Sequence, residues 1–234
     1  MRIIFVNMKK KIVLISLFVL PVLIYLFFAS GVYNFANLPL LTPEVADISM
    51  YADQEIRTEA TPEAPLTFDD HITLVGYLGD GLKSNEGYTA NLNLMIFKYF
   101  ERYTDFQLVL FVNQGSEDVI DNLRAELSRI FDTSKMRFIV ASKEQTQEHF
   151  NSLGTSLSMM NDGGHPNVFV IDKARALRSG HEEKKANVYG YDFTQAVEMG
   201  YLKDDVKILL AEYRLALKKN NNASPKIEQR RENK

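Results

Sequence analysis

From His71 onward, short continuous apolar runs alternate with longer amphipathic ones. "HITLVGYL" (His71 to Leu78), "FQLVLFV" (Phe106 to Val112), "MRFIVA" (Met136 to Ala141) and "NVFVID" (Asn167 to Asp172) are rich in β-branched and aromatic residues and predict buried strands. Between them the spacing changes to that of helices. Thr89 to Tyr103 places Leu92, Met95, Ile96, Tyr99 and Tyr103 on one face. Ser116 can cap a second helix, whose stripe is Val119, Ile120, Leu123, Leu127 and Ile130, with Glu117 and Asp118 at its positive end. Lys143 to Leu153 predicts a short third helix. "ALRSG" (Ala176 to Gly180) returns as a hairpin strand. A last helix, about Leu202 to Lys218, carries Leu202, Val206, Leu209, Leu210, Tyr213 and Leu217, with Asp204 and Asp205 expected in its first turn. Strands alternating with helices imply an α/β domain whose first strands are parallel, joined by crossovers, and whose hairpin makes the central sheet mixed.

The chain before this domain reads differently. Ile12 to Ser30 is uncharged and long enough to cross a bilayer core of about 30 Å. Pro21 inside it is tolerated in membrane helices. The preceding Lys9, Lys10 and Lys11 orient residues 1–11 to the cytoplasm. A single N-terminal transmembrane helix at 12–30 in the inner membrane, with the C-terminal domain facing the periplasm, is the expectation. A cleaved signal peptide is the alternative, since "FFASG" offers small residues. Residues 31–66, rich in Pro, Ala, Thr and acids, read as an extension and linker. The domain is expected over 67–219 and a polar, disordered tail over 220–234.

Charge and composition narrow the function. The net charge is −3, and 23 basic against 30 acidic residues follow Val32, which argues against nucleic-acid binding. The chain has 0 cysteines, so disulfides, thiol chemistry and thiolate metal sites are all excluded. No Ser-His-acid, paired-carboxylate or metal-hydrolase pattern stands out. An enzyme is not expected.

The order of elements, "HPNVFVIDK" (His165 to Lys173), "YGYDF" (Tyr189 to Phe193) and the helix "DDVKILLAEYRLALKK" resemble the SCO/SenC family of membrane-anchored thioredoxin-like proteins. The resemblance covers about Leu66 to Lys219 and implies a thioredoxin-like fold with a cis peptide at His165-Pro166. The family's two cysteines would fall near Lys83 and Gly87, and its copper-binding histidine at His165, which is the one candidate of the three functional positions that survives. What the resemblance implies is an accessory or assembly factor for a membrane complex such as cytochrome oxidase, acting by protein binding. The alternative is a copper chaperone using His165 with the nearby Met159 and Met160, beside Asp162; two thioethers and an imidazole suit Cu(I). Otherwise no cofactor is expected.

The loop "GDGLKSNEG" (Gly79 to Gly87) stands where the family has its cysteines. It reads either as a remodelled site that receives a partner or an anion at a helix start, or as a polar turn. With it go the candidate docking residues: Asp80, Lys83, Asn85, Glu86, His165, Pro166, Tyr189 and Tyr191. Tyrosine-rich loops favour interfaces but also cover core edges. His165 is equally readable as a loop residue before a proline, with the methionines as packing. His71, His149 and His181 have no metal-ligand spacing.

Overall fold

The computed structural model describes residues 14–27, 38–56, 64–81, 96, 98–100, 102–129, 132–180 and 189–219. The chain forms two compact units, Met1–Ala36 and Asn37–Lys234. In the first, residues 14–27 form helix α1 with every side chain exposed. Among the described residues no helix is long and apolar enough to cross a membrane. Residues 12–13 and 28–30, the ends of the uncharged run, lie outside the described part, as do residues 1–11 and the tail at 220–234.

Among the described residues the second unit has seven strands: β1 (Leu40–Thr42), β2 (Ile72–Gly79), β3 (Phe106–Asn113), β4 (Met136–Ala141), β5 (Gly164–Ile171), β6 (Leu177–Arg178) and β7 (Tyr191–Asp192). Their order is β1-β6-β5-β2-β3-β4, with β7 also paired to β5. β2, β3 and β4 are parallel, and β5 runs antiparallel to β2. All residues of β2 and β3 are buried, which explains their continuous apolar runs.

The two-residue period of a strand sends alternate side chains to two faces. Leu74, Leu108, Leu110, Phe138, Val168 and Val170 share one core with helix α2 (Glu117–Leu127) and helix α4 (Ala196–Lys219). Val75, Tyr77, Val109, Phe111, Ile139 and Phe169 share the other with helix α3 (Lys143–Ser152). A capping box fixes the start of α3: Ser142 Oγ accepts from Gln145 N–H while the Gln145 side chain accepts from Ser142 N–H.

The second face has an additional cover. Residues 38–56, expected as linker, belong to the fold. β1 pairs antiparallel with β6 at one edge, and a 3-10 helix (Ile48–Gln54) follows. Glu55 then bridges Ile139 of β4 at the opposite edge. Val45, Ile48 and Tyr51 are buried against the aromatic core, a gain of roughly 5 kcal/mol. The segment is therefore a strap across the sheet. Isolated apolar residues among prolines have no period, so the pattern did not announce it.

Two helix expectations change. α4 begins at Ala196, so Asp204 and Asp205 sit within it and not in its first turn. Asp205 is buried and accepts hydrogen bonds from the Tyr191 hydroxyl and from Gly180 N–H. Of the helix expected over Thr89 to Tyr103, residues 89–95 lie outside the described part. A helical turn is present at Lys98–Phe100, where Ile96 and Phe100 are buried but Tyr99 is exposed beneath Lys203 Nζ.

Candidate functional site

The carboxyl ends of parallel strands are where α/β sheets place their sites, because helix starts and loops converge there. Here β2 ends at Gly79, with φ +55°. A Cβ on Gly79 would lie 2.5 Å from Asp162 O, Gly163 C and Gly164 N, so only glycine lets the strand pass this close to the loop entering β5. Asp80 N–H donates to Asp162 O (3.1 Å). Gly163 N–H donates to Met160 O and Met160 N–H to Gly164 O, which folds the loop on itself. From β3, Asn113 Nδ2 donates to the same Asp162 O (2.8 Å). From α3, Lys143 Nζ reaches Asp80 Oδ2 (3.3 Å) and Asn161 O (3.4 Å). The site is thus a closed backbone seam with a half-exposed ion pair across it. Asp80 follows the end of β2 in this seam; Lys83, Asn85 and Glu86 lie outside the described residues.

His165 is 7% exposed and sits in β5 with Phe150 and Phe169 around its ring. Its Nδ1 accepts from Asn167 N–H (3.0 Å). Burial lowers its pKa, with Asp192 opposing. No cis peptide bond occurs among the described residues, so the expected cis His165-Pro166 bond is trans. The turn is made instead by Gly163 (φ +78°), and the missing Pro166 N–H falls in a register shift between β5 and β2.

The residues present do not make the copper set that the SCO/SenC resemblance implies. The thiolates are missing from the sequence, and one His165 nitrogen is already engaged. Met159 packs on the second core, and Met160 is half exposed. Among the described residues no group of three His, Cys, Asp or Glu side chains could hold a metal.

Tyr191 is a further correction. It is fully buried, and its hydroxyl donates to Asp205 Oδ2; burial and that carboxylate push its pKa up. It is a core residue and presents nothing to a partner. Tyr189 is half-buried against the second core, and Pro166 accepts from Phe193 N–H.

The sequence pattern overlooked Asn113 and Lys143, although each ends or follows a strand run. It also gave no role to His149 beyond the absence of metal-ligand spacing. That ring is buried among Tyr51, Phe68, Tyr77 and Phe111, and its Nδ1 shares a 2.7 Å hydrogen bond with the Tyr77 hydroxyl. Burial lowers its pKa to about 4, only partly offset by the Ala46 backbone and Asp47. A histidine and a tyrosine at the same height of a helix and a strand leave no signal in one dimension.

The connectivity defines a class. A central strand has a parallel neighbour on one side and an antiparallel hairpin strand on the other, and a closing helix follows the hairpin. This is a thioredoxin-like α/β domain with a mixed central sheet, extended by a parallel edge strand (β4) and by the N-terminal strap. No protein-family model matches the chain, and no curated protein matches it. Solved structures similar to it include BsSco, of the Sco family of cytochrome c oxidase assembly proteins, at 11% identity and TM-score 0.47, over 73% of this chain and 95% of that one. A SCO1/SenC family lipoprotein from Bacillus anthracis follows at 15% identity and TM-score 0.41, over 76% and 98%. A thiol:disulfide interchange protein of the thioredoxin family from Chlorobium tepidum follows at 14% and 0.39, over 75% and 99%.

Proposed function

We propose that this chain is a membrane-anchored, thioredoxin-like accessory or assembly factor that works by protein binding, without thiol chemistry and without catalysis. Its folded unit stands on the periplasmic side of the inner membrane. Its client is a membrane complex, by the sequence resemblance to SCO/SenC proteins a respiratory cytochrome oxidase. One observation carries the reading. Among the described residues the end of β2 packs against the loop entering β5, yet the chain has 0 cysteines and the seam there is closed by Asp80, Asp162 and Asn113. A scaffold kept without its reactive atoms is most useful as a surface. The uncharged run at 12–30, of which residues 14–27 are helical with exposed apolar side chains, supports the anchor.

The test is site-specific photo-crosslinking in native membranes. A crosslinker at position 80 is expected to capture a subunit of a membrane complex, and one at Asp204, exposed within α4, is not. A chain that stays monomeric in mild detergent, with no crosslink from position 80, removes the proposal.

A further inference from the structure

At the end of β3 a buried acceptor has no donor. Asn113 is 5% exposed. Its Nδ2 is committed to Asp162 O, which fixes the orientation of the carboxamide, and its Oδ1 has no hydrogen-bond partner. Gly163 lies directly over that oxygen: a Cβ there would be 3.0 Å from Oδ1 and 3.4 Å from Lys143 Cγ. The stem of Lys143, itself half exposed, lies beside Gly163 in that cover. Three residues on, the Ser116 hydroxyl is also buried and unpartnered. Buried unpaired acceptors are rare in native proteins, and each asks for an explanation.

The rim supplies one. Asp80, Glu117, Asp118, Glu144 and Asp162 stand at this end of the sheet with Lys143 as the counter-charge, five carboxylates against one cation among these residues, or −4. Two helix starts, of α2 and α3, would favour an anion. Glu117 and Asp118 already occupy the first turn of α2, and Glu144 that of α3. The Asn113 Nδ2 already donates to Asp162 O. What remains open is an acceptor under negative potential, which suits a positively charged donor.

We propose that this strand-end face receives a lysine or arginine side chain from a basic segment of a partner protein. The incoming cation displaces Lys143 from Asp80 and donates to Asn113 Oδ1. This rests on the docking reading above and adds the chemistry the partner must present.

The test uses the full chain in detergent micelles and two labelled peptides, one alternating arginine with glycine and one alternating glutamate with glycine, read by fluorescence anisotropy at low ionic strength. The arginine peptide is expected to bind and the glutamate peptide not. Asp80→Asn with Glu117→Gln and Asp118→Asn is expected to weaken binding roughly tenfold. Lys143→Ala is expected to tighten it, since a competitor is removed, and Asp204→Asn to leave it unchanged. Asn113→Val, if folded, is expected to weaken binding without changing net charge. Equal binding of both peptides, or equal weakening by the triple variant and Asp204→Asn, overturns the proposal. The two readings separate in membranes. If the triple variant loses the peptide but keeps the crosslinked partner, the cation site is wrong and the docking role stands. If peptide binding is intact and no partner is captured, the reverse holds.

Discussion

Glu55→Ala should be among the most damaging single substitutions in the folded unit, although Glu55 belongs to a segment whose composition reads as linker. Arg137 projects from β4 with 3% of its side chain exposed, and Glu55 with 1%. Nε donates to Oε1 (2.5 Å) and Nη2 to Oε2 (3.0 Å), a bidentate fork. Nη1 and Nη2 also donate to Pro65 O and Ala64 O, so the same guanidinium ties both flanks of the 57–63 segment to the sheet. Removing the carboxylate strands a charge that water cannot reach. The cost is about 3–5 kcal/mol, of which the net attraction of the pair is the smaller part. For a domain of this size that lowers the melting temperature by roughly 10 °C.

Glu55→Leu combined with Arg137→Met should recover most of the loss, to within about 1–2 kcal/mol of the parent, because the charge that needed compensation is gone. Ala64 and Pro65 are exposed, so their carbonyls can turn to water. Equilibrium urea unfolding of the full chain in detergent, followed by tyrosine fluorescence, measures both. A single variant within 1 kcal/mol of the parent, or a double variant no better than the single, would show that the strap is not held this way.

Three further outcomes follow from burial and backbone geometry. His149 is neutral when folded, with a pKa of about 4 against 6.5 unfolded, so the unfolded chain binds more protons in that window; stability is full above pH 6.5 and falls by up to about 3 kcal/mol towards pH 4, and His149→Phe should flatten that slope in melts taken across it. Gly79→Ala meets three backbone atoms at 2.5 Å and should cost more than about 2 kcal/mol, while Gly200→Ala, inside α4 with nothing within 4 Å, should stabilise by about 0.5–1 kcal/mol in the same unfolding assay. Tyr191→Phe leaves Asp205 with Gly180 N–H but without the phenol and should cost about 1–3 kcal/mol; a variant as stable as the parent would mean that the Tyr191 hydroxyl contributes nothing.

The strands were legible because burial on both faces writes itself as a near-continuous apolar run, and most of β2 through β5 is of that kind. The stripes of α2 and α4 were legible because each helix buries one side only. What escaped the pattern is polar and non-local. Asp205 beside Asp204 looked like a helix start, since an acid within a helix shows nothing of the tyrosine that binds it. "YGYDF" looked exposed because tyrosine is ambiguous until its hydroxyl has a partner. Arg137 and Arg178 did leave a trace, an arginine inside a run otherwise apolar. Such a residue must find a carboxylate, and Arg178 finds Asp172 and Glu212 as Arg137 finds Glu55.

Those buried arginines also explain why the strap and the candidate site are distinct problems. Arg178 donates to Leu38 O at one edge of the sheet, and Arg124, stacked on Phe138, donates to Ile56 O at the other. The strap is therefore fastened near both ends by charged donors on backbone carbonyls, and between them by apolar burial. None of these fasteners touches the seam between Asp80 and Asp162. A substitution in the strap should loosen the fold without changing what the strand-end face offers, whereas Asp80 and Lys143, half exposed, can change that face with little effect on stability. Separating the two by stability on one side and binding on the other is what makes the docking role testable.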